Sequence, residues 1–337
     1  MALTGCSSSL VTLNHRLNER TVLEEWRLVS SRFLLFLQGF VSYVDIDFAH
    51  RYHSAMEERS RAQDGSGSAS EWQNRVRDFG GPQFVVEVVR RSFAVIMEIY
   101  ERAESSSISK SDGSPLSEAD LAAAALIERE LASTGIPVIC EESDTASQAA
   151  GSLFWLVDPL DGTKEFLARN GEFTVNVALI ADGVPVVGVI GIPVSGEIYM
   201  AARGHGAYRT ANGITTQIRN ERSTKELIAA VSRSHRSSGD ERWLQAFGVR
   251  ETVSCGSSIK FCRVAEGRAD IYGRFGRTME WDTAAGHCLL NEAGCKLLVA
   301  TTGEELRYGK PQYANPSFIA CRADVPWVPI IEISSAA

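Results

Sequence analysis

Trp155-Leu156-Val157-Asp158-Pro159-Leu160-Asp161-Gly162-Thr163-Lys164-Glu165-Phe166 runs an apolar strand straight into two carboxylates three residues apart. Phe154 to Val157 carries no polar side chain and predicts a short buried strand. Asp158 ends that run, Pro159 removes a ladder donor, and Gly162 permits a tight turn. Two acids at the end of a buried strand repel one another, by roughly 4 kcal/mol at about 4 Å and an effective dielectric near 20. A cation between them removes that cost. Oxygen-only ligands on a strained turn suit a hard ion, Mg2+ above all.

Two further acidic sites lie far away in the chain. Ile136 to Cys140 is a second apolar run and ends in Glu141-Glu142-Ser143; Asp282, in Glu280-Trp281-Asp282-Thr283-Ala284-Ala285-Gly286, stands at the start of an apolar helical run from Ala284 to Ala293. Taken singly, each has an ordinary structural reading: Asp-x-x-Asp as a turn, Asp282 as a helix N-cap. Taken together, carboxylates from three separated element ends are what a two-metal hydrolytic site requires. Thr163 adds a hydroxyl able to orient water, and the helix start after Asp282 is a candidate anion site.

These residues resemble the inositol monophosphatase superfamily of lithium-sensitive, Mg2+-dependent phosphatases. Asp-Pro-Leu-Asp-Gly-Thr at 158–163, Glu-Glu-Ser at 141–143 and Trp-Asp-Thr-Ala-Ala-Gly at 281–286 carry the resemblance. Lys164-Glu165-Phe166, Asn170 to Asn176, Gly256 to Cys262 and Arg274-Phe275-Gly276 are more specifically similar to its 3'(2'),5'-bisphosphate nucleotidases of CysQ type. The resemblance spans residues 80–323 with the motifs in order. It implies an α/β protein with the five-layered αβαβα sugar-phosphatase fold: an α+β front half, an α/β back half and the active site between them.

The resemblance also implies roles. Glu141, Asp158, Asp161 and Asp282 would be metal-ligand carboxylates, with the Leu160 carbonyl as a further ligand, for two or three Mg2+ ions. Gly162 and Thr163 would meet the scissile phosphate, beside Glu141, Leu160, Asp161 and Asp282. Asp112, in a mobile loop, would help activate water, and Asp120 would support Thr163. The expected reaction converts adenosine 3',5'-bisphosphate to AMP by in-line attack of water, a step linked to sulfate assimilation. No activated nucleophile is legible in the chain. Inositol monophosphatase or another sugar phosphatase is the alternative activity, and a catalytically silent nucleotide or metal sensor the alternative of another class.

For the rest of the substrate, Ser232-Arg233-Ser234-His235 ends an apolar strand and His235 is a candidate contact to base or second phosphate, against an ordinary loop histidine. Gly256-Ser257-Ser258 opens a helical run to Ala265, whose backbone N–H groups would form an anion site. Lys260 and Arg274 are candidate cations, against a solvated helix face for Lys260. Arg268 and Arg277 read as surface charge.

The 337 residues carry a formal net charge of −8, which gives no footprint for a nucleic-acid polymer. A small polyanion would bind through metal and a local cationic patch. Seven cysteines, an odd number without Cys-x-x-Cys, predict a reducing cytoplasm. Neither a signal peptide nor a transmembrane segment is legible. The apolar run Phe33 to Val44 is too short to span a bilayer and leaves peripheral contact with the cytoplasmic face of the inner membrane open. Monomer and homodimer both stay open.

Residues 1–78 read as an N-terminal extension with a Gly/Ser linker at Gln63 to Ser70, with a start at Met56 as the alternative. Residues 79–325 read as the phosphatase domain, with a metal-binding front half (79–220) and a back half (221–325). Phe84 to Arg102 and Ser117 to Ser133 predict helices, the second with a Ser117/Asp120 capping box; Glu101 to Asp112 predicts a polar loop. A strand meander at 173–180, 184–192 and 198–202 precedes an alternating run: strand 227–231, helix 240–246, strand 251–255, helix 257–266, strand 269–275, helix 283–293 and strands 295–300 and 317–321. Meander first and alternation later imply stacked layers.

Overall fold

A computed structural model describes residues 71–102, 107–109, 115–143, 151–223, 225–234 and 238–329. The Phe33 to Val44 run, the Gln63 to Ser70 linker, Asp112 and His235 lie outside the described residues. Helix α1 (Glu71–Asp78) precedes helix α2 (Pro82–Tyr100). Pro82 sits in the first turn of α2, where its missing N–H costs nothing. Val85, Val88, Val89, Ile96 and Ile99 recur at helical spacing and are buried.

Strand β1 (Ser107–Ser109) pairs antiparallel with β2 (Pro115–Ser117). β1 falls inside the segment expected to be a loop, because three residues are too short a run for alternation to show. Helix α3 (Glu118–Ala132) starts on the expected capping box: Asp120 N donates to Ser117 Oγ, and Ser117 N donates to Asp120 Oδ2 at 2.8 Å.

Next come β3 (Val138–Cys140), β4 (Leu153–Asp161), the short helix α4 (Thr163–Leu167) and the meander β5 (Thr174–Ala181), β6 (Val184–Ile192), β7 (Glu197–Ala202), β8 (Gly206–Ala211) and β9 (Ile214–Ile218). They form one seven-stranded sheet in the order β3-β4-β5-β6-β7-β8-β9, antiparallel except for β3 beside β4. The half-exposed hairpin β8–β9 was not predicted, since its strands lack an apolar face.

The chain then alternates: β10 (Ile228–Ser232), α5 (Ser238–Ala246), β11 (Glu251–Cys255), α6 (Ile259–Ala265), β12 (Ile271–Arg274), α7 (Glu280–Glu292), β13 (Cys295–Val299) and β14 (Phe318–Arg322). A five-stranded sheet runs β11-β10-β12-β14-β13, with β10 parallel to both β11 and β12 and β14 antiparallel to its neighbours.

Three apolar cores mark the layers. Val85, Val89, Ile127 and Leu131 of α2 and α3 pack with Val175, Val177 and Leu179 on the outer face of the larger sheet. Ala178 and Ile180, on its other face, pack with Phe261, Ala285, Leu289 and Phe318 between the sheets. Trp243 of α5 packs on the far face of the smaller sheet with Ala229, Ile271 and Ile319. The order is thus α2/α3, sheet, α6/α7, sheet, α5, the expected αβαβα fold.

Two glycines of β6 let helices approach this closely. A Cβ at Gly188 would lie 2.7 Å from the Ala285 carbonyl of α7, and one at Gly191 would lie 2.5 Å from Val89 and 2.6 Å from Phe93 of α2. Gly191→Val is therefore expected to cost about 1–3 kcal/mol by overpacking. Urea denaturation checks this, and an unchanged midpoint would refute the close-packing argument.

Candidate active site

The two acids of the opening motif share a face because β4 breaks its register. Asp158 pairs with Asn176 and Asp161 with Thr174, so three steps along β4 match two along β5. Side chains alternate along a strand, so residues i and i+3 would otherwise point to opposite faces. One extra residue returns Asp161 to the face of Asp158. That face lies between the sheets, because Ala178 and Ile180 follow Asn176 at period two into the inner core.

The strand expected over Phe154 to Val157 is longer: β4 starts at Leu153 and runs through Pro159 to Asp161. β3 pairs only as far as Val157, so Pro159 lies beyond its neighbour on that side, where a missing donor is tolerated. Gly162 follows at φ 96° and starts α4; a Cβ there would sit 3.2 Å from Ser257 and 3.3 Å from Glu165.

Glu141, at the end of β3, and Asp282, in the first turn of α7, converge on Asp158. Each of the three offers a carboxylate oxygen within 4.8 Å of the others. Asp158 is buried and accepts a hydrogen bond from Leu160 N at 3.1 Å. Burial, and then the charges of Glu141, Asp161 and Asp282, push its pKa well above the usual carboxylate range. Burial followed by Asp161 and Glu141 does the same to Asp282. Burial also raises Asp161, with Lys260 and Ser258 pulling the other way. The set is crowded, partly buried and all-oxygen, and so poorly satisfied as bare anions; it fits a hard divalent cation.

Asp282 differs from its expected place. Helix α7 begins at Glu280, so Asp282 is the third helical residue, and its carboxylate accepts from Met279 N at 2.7 Å. The helix start therefore faces a carboxylate rather than an open anion site. Asp161 accepts from Ser258 Oγ at 2.8 Å, and Ser258 in turn accepts from Asn176 Nδ2 at 2.9 Å. Thr163 Oγ1 donates to Asp120 Oδ1 at 3.2 Å, and the other oxygen of Asp120 is held by Ser117. Capping and support of Thr163 are thus joint duties of Asp120.

A cleft of about 320 Å³ opens over these groups. Glu141, Asp161 and Asp282 line it together with Ser257, Lys260, Tyr272, Arg274 and Arg277. Lys260 is 6% exposed, which excludes the solvated-face reading; its Nζ donates to Ser257 O at 2.5 Å and lies 5.4 Å from the Tyr272 ring centre. Burial lowers its pKa, while Asp161 is among the groups opposing that shift. Arg277, read from sequence as surface charge, is exposed but also lines the cleft; Arg268 is exposed beside Glu266.

The anion site expected at Gly256-Ser257-Ser258 is altered. Gly256 N–H donates to Glu172 at 2.8 Å, and helix α6 begins only at Ile259 and spans seven residues. Ser257, at φ 40°, keeps its Oγ buried without a hydrogen bond inside the protein. Glu165 and Asn176, both buried beside these groups, carry no individual signal in the sequence beyond membership of longer motifs.

Residues 82–327 match the inositol monophosphatase family. The chain belongs to that family. Among relatives, the 3'(2'),5'-bisphosphate nucleotidase CysQ of Escherichia coli O157:H7 is 42% identical over 240 residues, covering 69% of this chain and 96% of that protein. The nucleotidase of the same name from Buchnera aphidicola is 37% identical, covering 70% and 91%. The crystal structure of CysQ from Bacteroides thetaiotaomicron superposes with a TM-score of 0.65 at 39% identity, covering 72% of this chain and 97% of that one. An inositol monophosphatase-family fold from Thermotoga maritima superposes with a TM-score of 0.60 at 22% identity and bears on architecture alone. Among the described residues, no helix is long and apolar enough to cross a membrane.

Proposed function

We propose that this phosphatase hydrolyses the 3'-phosphate of adenosine 3',5'-bisphosphate to give AMP, with Mg2+ as cofactor, in clearing a by-product of sulfate assimilation and sulfotransfer. The observation that carries this reading is the mixed lining of the cleft: carboxylates suited to cations together with Lys260, Arg274 and Arg277. A substrate with a second phosphate for the cationic groups suits it better than a monophosphate. The volume lies within the range of small-molecule pockets, about 300–1,000 Å³. The CysQ relatives support the same substrate.

Glu141, Asp158 and Asp282 would hold one cation or more, with Asp161 and the Leu160 carbonyl as further ligands. Bound Mg2+ supplies a lowered pKa for the attacking water and charge neutralisation at the leaving oxygen. Thr163 spends its proton on Asp120, so its oxygen is left to accept one from water and hold that water in line. Asp112 would assist from its loop. Ser257 Oγ lacks a partner in the cleft wall and would gain one from the substrate; leaving it unpaired costs about 1–3 kcal/mol. His235 stays a candidate contact to the nucleotide.

The thiols fit direct attack by water. Cys140, Cys255, Cys262, Cys288, Cys295 and Cys321 are all buried, and burial raises every one of their pKa values, away from the reactive thiolate. Six free thiols also suit the cytoplasmic location proposed here.

Phosphate release from adenosine 3',5'-bisphosphate and from inositol 1-phosphate, with Mg2+ present, absent and competed by Li+, tests the proposal. Faster, Mg2+-dependent release from the bisphosphate is expected. Faster release from inositol 1-phosphate would overturn the substrate assignment, and nucleotide binding without turnover would overturn the enzymatic one.

A further inference from the structure

Glu165 lines the cleft and is only 4% exposed, yet its carboxylate makes neither a hydrogen bond nor an ion pair with any described residue. It is the third residue of α4, after Thr163 and Lys164. An acid at that place can turn back to accept the N–H of the residue before the helix. That residue is Gly162, and no such bond forms. The stem of Glu165 instead lies against Gly256, where a Cβ would sit 2.8 Å from its Cγ. Its Oε2 is delivered to Gly162, where a Cβ would sit 3.3 Å away. Two glycines thus leave the space this side chain occupies, and its acceptor rests on the Gly162-Thr163 turn.

A buried carboxylate without a donor is costly. Its charge is felt nearby: burial raises Asp161 while Lys260 and Ser258 pull it down, and Glu165 adds to the rise. The cations around it are engaged elsewhere. Lys260 Nζ donates to Ser257 O and stays beyond ion-pair distance of Glu165. Arg233 is committed to Glu172, with Nε on Oε2 at 2.6 Å and Nη2 on Oε1 at 2.7 Å. Nor does Glu165 belong with the acids that crowd within 4.8 Å of one another, which are Glu141, Asp158 and Asp282. Phosphate oxygens are acceptors too and cannot satisfy it. The donor has to come from the substrate, close to its ester, and a hydroxyl group supplies one.

We infer that Glu165 is a specificity-determining residue that accepts a hydrogen bond from the free hydroxyl on the carbon next to the scissile ester, the 2'-hydroxyl in adenosine 3',5'-bisphosphate. It thereby selects phosphate esters with a neighbouring hydroxyl over those without one. The inference rests on the phosphatase reading given above, in which Gly162 and Thr163 meet the scissile phosphate. A site built around a substrate hydroxyl rejects the analogue lacking it, because the acceptor is then left buried and unpaired. With no hydroxyl to bind, the carboxylate only repels the incoming polyanion.

The test compares kcat/KM for adenosine 3',5'-bisphosphate with that for its 2'-deoxy analogue. Wild type is expected to favour the ribose ester by about 10- to 100-fold, the scale of one hydrogen bond to a charged acceptor. In Glu165→Met, which keeps the stem and removes both oxygens, the preference should shrink to within about threefold, chiefly through loss on the ribose ester. Glu165→Gln keeps one acceptor and should fall between the two. A structural role alone would lower both esters together and leave their ratio where it was. A wild-type ratio near one, or an undiminished ratio in Glu165→Met, would overturn the inference. If Glu165→Met does not fold, the Glu165→Gln ratio decides, and one equal to wild type overturns it. Should wild type prefer inositol 1-phosphate, the substrate assignment fails by itself. Inositol 1-phosphate against cyclohexyl phosphate, which has no neighbouring hydroxyl, then makes the same comparison.

Discussion

Asp158→Asn is expected to abolish nearly all turnover and yet raise the stability of the metal-free protein. The side chain is buried among Glu141, Asp161 and Asp282 with its oxygen within 4.8 Å of two of them. At that separation and an effective dielectric near 20, each fully ionised pair repels by roughly 3 kcal/mol. Asparagine keeps an acceptor for Leu160 N and removes the charge. Activity should fall by at least about 10³-fold, on the scale seen when a preorganised electrostatic group is lost.

Addition of Mg2+ should raise the melting temperature of wild type through preferential binding to the native state, and should barely move the variant. The pH dependence has a definite sign. The folded pKa of Asp158 lies above the unfolded value of about 3.9, so its contribution is fully present below that value and lost as pH rises through the folded pKa. Metal-free wild type should therefore lose stability with rising pH more steeply than the variant. Melting curves in chelator at several pH values check this. A variant that melts well below wild type in chelator would refute the crowding argument.

Glu280→Ala is expected to be the most damaging single change outside the acid cluster. The side chain is fully buried, and its two oxygens take Gly309 N at 2.7 Å, Lys310 N at 2.9 Å and Lys310 Nζ at 2.6 Å. Truncation strands two backbone donors, while the Lys310 ammonium keeps the Arg307 carbonyl, at a cost of about 2–6 kcal/mol. Glu280→Gln retains acceptor capacity and should lose less. Glu280 opens the helix that carries Asp282, so Mg2+ affinity should fall along with the melting temperature in Glu280→Ala. A wild-type denaturation midpoint would contradict the assigned role.

The architecture was legible where the periodicity was strong. Helix α2, strands β5 and β6 and the alternating second half fall close to their expected bounds, because their apolar residues repeat at the spacing of the element that buries them. Strand β1 and the hairpin β8–β9 were not, being short or polar on both faces. The convergence of Glu141, Asp158 and Asp282 could be anticipated because each acid follows or opens an apolar run. The bulge could not, since Pro159 by local preference ends a strand; only the early end of β3 makes it tolerable. Nor could the hold of Glu172 on Gly256 be read in advance. A hydrogen bond across 84 residues leaves no periodic trace, and it removed a donor that the glycine-serine turn had promised to a ligand.

The register break in β4 makes the chemistry of this protein a matter of counting. Were the same residues paired one for one, Asp161 would fall opposite Phe173, whose side chain belongs to the oily layer under α2 and α3. The composition would not change and the sheet could close without a gap. Yet one acid would be turned away from its companions into hydrocarbon, so a single step of register separates a catalyst from an inert scaffold.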